Sequence, residues 1–208
     1  MISAILLAAG RSRRMGAFKP LLPFGERTVI EACVCNLLEG GVEEVVVVVS
    51  GTHANELRKR LSHHPRVRFA VNLEAESEMG VSIARGVEGV SKGARAVLIA
   101  LADQPAIPPS TISLLIAAGK NTEKRLIVPE YEGRGGHPVW IDLSFSRELQ
   151  NLPSQRGLRA LFEAHPEEAL RVPVSSPYIA RDMDQWDDYR ALYSEVFGTE
   201  PPESSEKR

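Results

Sequence analysis

The chain has 208 residues and a formal net charge of −2, and 43% of its residues are hydrophobic and 25% charged. These proportions are typical of a globular protein large enough to bury a core without disulfides. The small net charge argues against binding along a nucleic-acid backbone, which needs a broad basic face, and no apolar run approaches the roughly 20 residues of a membrane helix.

The first part of the chain alternates short apolar runs with helix-like segments. The apolar runs are typical of strands buried on both faces of a sheet. Strands are predicted at Ile2–Ala8, Val45–Val49, Val67–Val71, Ala94–Ala102 and Leu126–Val128, the last stopped by Pro129. Helices are predicted at Thr28–Leu38, where Thr28 and Glu31 form a capping-box pattern, and at His53–Leu61, Val81–Val90 and Thr111–Ala118. This order indicates βαβ units and a mainly parallel sheet, whose ligands bind beyond the carboxyl ends of the strands.

The remainder of the chain is less regular. A glycine-rich turn, Tyr131 to Gly136, precedes the segment from His137 to Ile141. Further elements are predicted as helices at Leu143–Leu149, Gly157–Ala164 and Gln185–Phe197, and a strand at Ala169–Val174. Since neither a repeat nor a linker is evident, residues 1–197 are predicted to form one domain. The Pro/Glu/Ser/Lys-rich residues 198–208 are predicted to be a disordered tail.

The two cysteines, Cys33 and Cys35, lie in the first predicted helix. Residues two positions apart face different sides of a helix, and the spacing matches neither a zinc pair nor a redox CxxC motif. We therefore expect one buried and one partly exposed thiol. Free thiols and the absence of a signal peptide predict a cytoplasmic location.

The loop after the first strand concentrates positive charge. Its basic residues are Arg11, Arg13, Arg14 and Lys19, and its glycines are Gly10 and Gly16. Glycines let backbone amides approach a ligand, so this loop favours binding of phosphates. It is not a Walker P-loop, because Gly16 is followed by Ala-Phe-Lys and not by Lys-Ser/Thr. It does not contain a GxGxxG motif either. A solvated basic loop is the alternative.

Two acidic segments could complete a phosphate site. Asp103 directly follows an apolar strand, and a carboxylate there suits Mg²⁺, which takes one or two carboxylates and its other ligands from water and phosphates. Asp182 and Asp184 form a DxD pattern, whose side chains would point to the same side of an extended segment. Asp103 could instead be a helix N-cap or a loop aspartate, and Asp182 and Asp184 could instead cap the final helix.

His137 and Arg156 are further candidates. His137, between Gly136 and Pro138, could touch a substrate phosphate or hold a turn, and Arg156 begins a helix at which an anion could bind. No Ser-His-Asp or Cys-His arrangement is evident. A cationic loop, a magnesium candidate and no nucleophile are typical of phosphoryl or nucleotidyl transfer, in which positioning and charge neutralisation dominate catalysis.

These motifs resemble those of a known family. The segment LAAGRSRRMG at 7–16, with Lys19 after it, resembles the LAAGxSxRMG…K signature of nucleotidyltransferases. LADQP at 101–105 and GHPV at 136–139 resemble the molybdenum cofactor cytidylyltransferase branch of the MobA-like NTP transferases. The resemblance runs from about Ile2 to Tyr189. It implies a Rossmann-like three-layer α/β/α sandwich with a mostly parallel sheet.

The resemblance also implies roles for individual residues. The nucleotide is expected to bind at Leu7, Ala8, Ala9, Gly10, Arg11, Lys19, Asn72 and Asp103. The catalytic residues are expected to be Arg14, Lys19 and Asp103, and the metal ligands Asp103, Asp182 and Asp184. His137 and Arg156 are candidates for binding the acceptor. The chain departs from the family pattern in DMDQW at 182–186, which lacks the usual Thr-Pro, and in LPSQRGL at 152–158, which lacks an aspartate.

The implied activity is Mg²⁺-dependent transfer of CMP from CTP to the terminal phosphate of molybdopterin, with release of pyrophosphate. Ala8-Ala9 favours CTP, because relatives that transfer GMP typically carry Ala-Gly-Gly there. A molybdoenzyme would then be a partner, whereas nucleic acid and membranes would not. The alternatives are a guanylyltransferase, transfer to another phosphorylated acceptor, and a non-catalytic protein that binds a phosphorylated cofactor.

Overall fold

The computed structural model describes residues 1–10, 15–74 and 78–202. The strands are β1 (Ile2–Ala8), β2 (Pro23–Phe24), β3 (Arg27–Thr28), β4 (Glu44–Ser50), β5 (Val67–Asn72), β6 (Ala96–Leu101), β7 (Leu126–Tyr131), β8 (Arg134–Gly135), β9 (Val139–Asp142) and β10 (Ala169–Pro173). The α-helices are α1 (Val29–Glu39), α2 (Ala54–Arg60), α3 (Met79–Gly89), α4 (Pro109–Lys120), α5 (Ser146–Leu149), α6 (Leu158–Ala164) and α7 (Trp186–Phe197).

Eight of the strands form one sheet in the order β10-β7-β9-β6-β1-β4-β5, with β8 paired to β7. The pairs β1–β4, β1–β6, β4–β5 and β7–β10 are parallel, and β9 runs antiparallel to both of its neighbours. The short strands β2 and β3 form a separate hairpin. The predicted, mostly parallel sheet is therefore confirmed.

Side-chain alternation along β1 divides the core into two layers. Leu6 points to the face covered by α1, α2 and α4, whereas Ile5 points to the face covered by α3, α5 and α6. A strand with apolar residues on both faces has to be covered on both sides, which explains the continuous apolar runs. A third cluster joins Tyr189 of α7 to Phe24 of the hairpin and Val29 of α1.

Strand β7 differs from the expectation that Pro129 would end it, since it continues to Tyr131. The oxygen of Pro129 accepts a hydrogen bond from the Gly136 amide at 3.1 Å. The N–H and C=O of a strand residue point the same way. The side of Pro129 that lacks an N–H therefore faces Gly136 and not β9. Since β9 pairs only with Leu126 and Ile127, the proline removes no hydrogen bond to β9, and the strand can continue.

Other expectations from local patterns agree with the structure. Cys33 is buried and Cys35 half-buried, as their helical spacing predicts. Thr28 and Glu31 form the predicted capping box at the start of α1. Within the described ranges, no helix is long and apolar enough to span a membrane.

Candidate functional site

Sheet register brings the sequence motifs to one edge. Leu7 of β1 lies opposite Leu101 of β6, and Ser50 of β4 lies opposite Asn72 of β5. Because these strands are parallel, their carboxyl ends meet at the same edge of the sheet. The opening loop and Asp103 therefore leave the sheet from adjacent strands.

Exposure increases from the end of β1 into the opening loop. Ala8 is buried, Leu7 and Ala9 are half-buried, and Gly10 is exposed. A Cβ on Gly10 would meet no atom within 4 Å in the described part of the chain, so packing does not require glycine there. The predicted nucleotide contact Arg11 and the predicted catalytic residue Arg14 lie outside the described residues.

Lys19 places its charge between two aspartates. It begins a one-turn 3-10 helix whose next residue is Pro20, and its side chain is only 11% exposed. Its Nζ lies 2.9 Å from Oδ1 of Asp184 and 3.8 Å from Oδ2 of Asp103. The site thus joins a residue near the start of the chain to one 165 positions later.

The Asp103 carboxyl lies in a crowded, negatively charged environment. Its side chain is 28% exposed. Burial raises its pKa above the ordinary value and the charge of Asp182 raises it further, whereas Lys19 lowers it and Asp184 adds a smaller increase. Asp182 and Asp184 therefore disfavour the ionised form of Asp103, whereas Lys19 favours it.

The DxD segment places both aspartates toward Asp103. Asp182 and Asp184 each raise the pKa of Asp103, while Met183 between them is fully buried. This arrangement agrees with the predicted extended segment whose alternate side chains share one side.

The alternative that these aspartates cap helices is wrong. Gln185 is the N-cap of α7, and its backbone amide donates a hydrogen bond to Oδ2 of Asp188 at 2.8 Å. The N-cap of α4 is Pro108 and not Asp103. The acidic side chains at this edge are therefore not explained by capping.

Gln104 joins the site although sequence reasoning gave it no role. Its side chain is buried, at 4% exposure. Its Nε2 donates to Oδ1 of Asp182 at 2.7 Å and contacts the oxygen of Ile179 at 3.4 Å. The only sequence signal was its position next to Asp103 in LADQP, and that position does not reveal a contact with residue 182.

The structure gives His137 contacts that hold a turn. Its amide donates to the oxygen of Ile179 at 2.8 Å, and its Nδ1 lies 3.1 Å from the oxygen of Ile99. Burial lowers the pKa of His137, which favours the neutral ring. A neutral ring with Nδ1–H donating to Ile99 satisfies this contact and fastens the turn to β6.

Asn72 is buried at the carboxyl end of β5. Its Nδ2 donates to Ser82 Oγ at 3.0 Å, and its Oδ1 accepts from the Glu74 amide at 3.0 Å. The side chain thereby fixes the start of the loop toward α3.

Arg156 is exposed and forms an ion pair with Glu163 of α6. The neighbouring Gln155 contacts Glu78, just before α3, at 3.3 Å. Arg156 is thus tied to the helix that follows it, in a loop that reaches the amino end of α3.

The donor set fits a hard divalent cation. Carboxylate oxygens are the ligands that Mg²⁺ and Mn²⁺ prefer. Over the described ranges, no three acidic, histidine or cysteine side chains are already gathered as a metal site. Lys19 instead contacts Asp103 and Asp184. Asp103, Asp182 and Asp184 could therefore hold a cation together with phosphate oxygens from a bound nucleotide.

Comparisons with known proteins find relatives that cover most of the chain. The chain is 29% identical over 201 residues to the nicotine blue oxidoreductase of Paenarthrobacter nicotinovorans, covering 92% of this chain and 96% of that protein. It is 24% identical over 200 residues to the molybdenum cofactor cytidylyltransferase of Escherichia coli K12, covering 94% and 98%. The structure of Rv0371C from Mycobacterium tuberculosis H37Rv in complex with manganese superimposes with a TM-score of 0.78 at 27% identity, covering 94% and 99%.

The family comparison covers most of the sheet and much of the site. The family model of the MobA-like NTP transferase domain matches residues 4–169. The matched segment includes Lys19, Asp103 and His137, whereas the DxD segment follows it. The chain therefore belongs to the MobA-like NTP transferase family.

Proposed function

We propose that this protein transfers CMP from CTP to the terminal phosphate of molybdopterin and releases pyrophosphate, with Mg²⁺ as its metal. The observation that carries the proposal is the Lys19 ammonium between Asp103 and Asp184, at the edge where the opening loop leaves β1. A cation and several carboxylates at this place suit a triphosphate and its metal ion. The relative from Escherichia coli is named for cytidylyl transfer to this cofactor.

In the proposed reaction, an oxygen of the acceptor's terminal phosphate forms a bond to the α-phosphorus of CTP. The bond from the α-phosphorus to the oxygen that bridges to the β-phosphate breaks, and its electron pair leaves with pyrophosphate. Lys19 stabilises the negative charge that develops on the triphosphate, and Asp103 holds the metal with Asp182 or Asp184. A bound Mg²⁺ supplies charge neutralisation on the phosphate oxygens. Transfer of this kind needs no nucleophile from the protein.

The proposal also includes the domain organisation, the choice of nucleotide and the cellular location. Residues 1–197 act as one catalytic domain, because Lys19 near the start of the chain and Asp184 near its end share the site. Ala8-Ala9 at the start of the opening loop supports CTP over GTP. The protein would work in the cytoplasm and pass its product to a molybdoenzyme. Arg11 and Arg14 remain proposed phosphate contacts.

The proposal is tested with purified protein, Mg²⁺ and molybdopterin, supplying CTP, GTP or ATP in separate reactions. We expect pyrophosphate release that depends on molybdopterin and is fastest with CTP, together with a product whose mass is that of the cytosine dinucleotide. Faster turnover with GTP would support the guanylyltransferase alternative. CTP binding without turnover on any phosphorylated acceptor would support a non-catalytic binding protein.

Oxidoreductase activity is a second candidate, favoured by the 29% identity to nicotine blue oxidoreductase over nearly the whole chain. The sequence lacks the GxGxxG fingerprint of dinucleotide-binding proteins, which weakens this candidate. Reduction of nicotine blue by NADH or NADPH, followed by absorbance, separates the two activities. Reduction without cytidylyl transfer would replace the first proposal.

A further inference from the structure

The Gln104 side chain connects three segments at the carboxyl edge of the sheet. It follows β6, and its amide contacts Asp182 and the oxygen of Ile179. That same oxygen accepts the amide of His137, just before β9. Gln104 therefore lies where the loop of Asp103, the turn before β9 and the segment before α7 meet.

Fold stability is a poor explanation for a glutamine at this position. The Gln104 side chain is buried, yet its Oε1 has no hydrogen-bond partner among the residues that the structure describes. A buried acceptor without a partner costs stability, and an apolar side chain of the same shape would avoid that cost. The useful part of the side chain is thus its amide nitrogen.

The amide nitrogen of Gln104 donates a hydrogen bond to a carboxylate that lies near another carboxylate. Asp182 is exposed, and its charge and that of the Asp103 carboxylate repel each other. A donor 2.7 Å from Oδ1 of Asp182 opposes this repulsion, because hydrogen bonds to an ionised acceptor are stronger than neutral ones. The donor itself is held by its burial and its contact with the Ile179 oxygen.

We propose that Gln104 is a positioning residue, whose amide holds Asp182 beside Asp103 so that both carboxylates can serve one divalent cation. The inference rests on the metal site of the proposed function. It adds a residue that touches neither metal nor nucleotide and acts through Asp182.

The test measures binding of Mn²⁺ to the full chain by electron paramagnetic resonance, without acceptor and with or without CTP. The variants are Gln104→Met, which keeps the shape, and Gln104→Asn, whose shorter amide cannot reach Asp182. The matched control is Gln150→Met, since Gln150 is exposed at the end of α5. We expect both Gln104 variants to raise the Kd for Mn²⁺ about ten-fold, the usual order for residues that orient metal ligands, and the control to stay within about two-fold.

A double-mutant cycle shows whether Gln104 acts through Asp182. Asp182→Asn alone is expected to weaken Mn²⁺ binding, and adding Gln104→Met to it should weaken binding no further. Thermal unfolding provides the second readout, and we expect Gln104→Met to keep a midpoint close to that of the unmodified protein, because removal of the unpaired Oε1 offsets the hydrogen bond lost to Asp182.

Three results would overturn the proposal. The first is a Kd for Mn²⁺ that is unchanged in both Gln104 variants. The second is a double variant in which the separate effects of Gln104→Met and Asp182→Asn on the Kd for Mn²⁺ multiply. The third is loss of the native thermal transition in Gln104→Met, which would show that the residue is needed for folding. If CTP leaves Mn²⁺ binding by the unmodified protein unchanged, the proposed donor fails, while the comparison without nucleotide still decides the role of Gln104.

Discussion

The Lys19 ammonium lies among carboxylates that a metal ion would also neutralise. Its Nζ contacts Asp184 at 2.9 Å and Asp103 at 3.8 Å. A lysine has a long flexible stem, so its charge can move to a phosphate when a nucleotide and a metal ion arrive. Lysine and metal would then compete for the same oxygens when no nucleotide is bound.

The substitution Lys19→Met separates these two effects. We expect kcat/KM for CTP to fall by at least about 100-fold, because a positive group that stabilises the transferring phosphates is lost. We expect Mn²⁺ without nucleotide to bind more tightly, because the ammonium no longer competes for Asp103 and Asp184. Pyrophosphate release measures kcat/KM, and calorimetry measures the affinities for CTP and for Mn²⁺. The control is Lys120→Met, at an exposed residue of α4. An unchanged affinity for CTP would contradict the phosphate role.

The substitution Asp103→Asn tests the central carboxylate. Turnover measured by pyrophosphate release should fall by at least about 100-fold, since metal-assisted charge stabilisation is worth several kcal/mol. The folded protein should be no less stable at pH 7, because burial and Asp182 raise the pKa of Asp103 and so disfavour its ionised form. Asp187→Asn, at an exposed position of α7, is the control. Activity near that of the unmodified protein would remove Asp103 from the metal role.

At the scale of elements, α7 anchors the opening loop from the far end of the chain. The indole of Trp186 donates to the oxygen of Met15 at 2.9 Å, and the hydroxyl of Tyr189 donates to the oxygen of Pro23 at 2.7 Å. Burial raises the pKa of Tyr189 to about 12, so this hydroxyl remains a donor at neutral pH. The helix that follows the DxD segment therefore also fixes the loop that carries Lys19.

Helix α3 packs against the central strand through a glycine. A Cβ built on Gly86 would lie 2.3 Å from Cγ2 of Ile5 in β1, which is closer than carbon atoms can approach. Ile5 is fully buried, so it has no open space into which to move. The close contact of helix and sheet thus depends on the missing side chain.

We expect Gly86→Ala to destabilise the protein by up to about 2 kcal/mol, because an overpacking strain of about 1–3 kcal/mol outweighs the roughly 1 kcal/mol by which alanine favours a helix. Urea unfolding at pH 7 measures the change. The matched control is Gly93→Ala, whose new Cβ would meet no described atom within 4 Å. Equal stabilities of the two variants would show that α3 can shift outward without cost.

At the scale of the whole molecule, the sequence predicted what depends on local pattern. Strands such as Ile2–Ala8 stand out as apolar runs, and the capping box at Thr28 marks the start of α1. The short antiparallel β9 was missed, because its four residues carry little periodic signal.

The contacts within the site depend on chain topology instead. Lys19 and Asp184 are 165 positions apart, and no local rule pairs them. Gln104 and Asp182 are 78 positions apart, and only the folded sheet brings them within 2.7 Å. Sequence patterns could therefore identify most of the residues at this edge, but not the hydrogen bonds and ion pairs between their side chains.

A last prediction concerns the opposite edge of the sheet, where β4 begins. The buried Glu44 carboxylate accepts hydrogen bonds from Ser91, Arg68 and Ser3 at 2.6–2.9 Å. Burial by itself raises the pKa of Glu44, but these hydrogen bonds together bring it below the ordinary 4.5. Because the pKa of Glu44 is lower in the folded state than in the unfolded state, its ionised carboxylate stabilises the fold at pH values above the unfolded-state pKa. This stabilisation is lost as the pH falls from 4.5 through the lower pKa of the folded state.

The substitution Glu44→Gln should therefore lower the free energy of unfolding at pH 7 by about 1–3 kcal/mol, since charged acceptors are lost from buried hydrogen bonds. It should also flatten the decrease in stability on acidification from pH 7 to pH 3, as measured by urea unfolding at several pH values. Glu123→Gln, at an exposed position between α4 and β7, should keep the full pH dependence. Because β4 is parallel to β1, Glu44 lies at the amino edge, and KM for CTP should not change in either variant. The same acid dependence in Glu44→Gln as in the unmodified protein would show that this network does not set the acid stability of the fold.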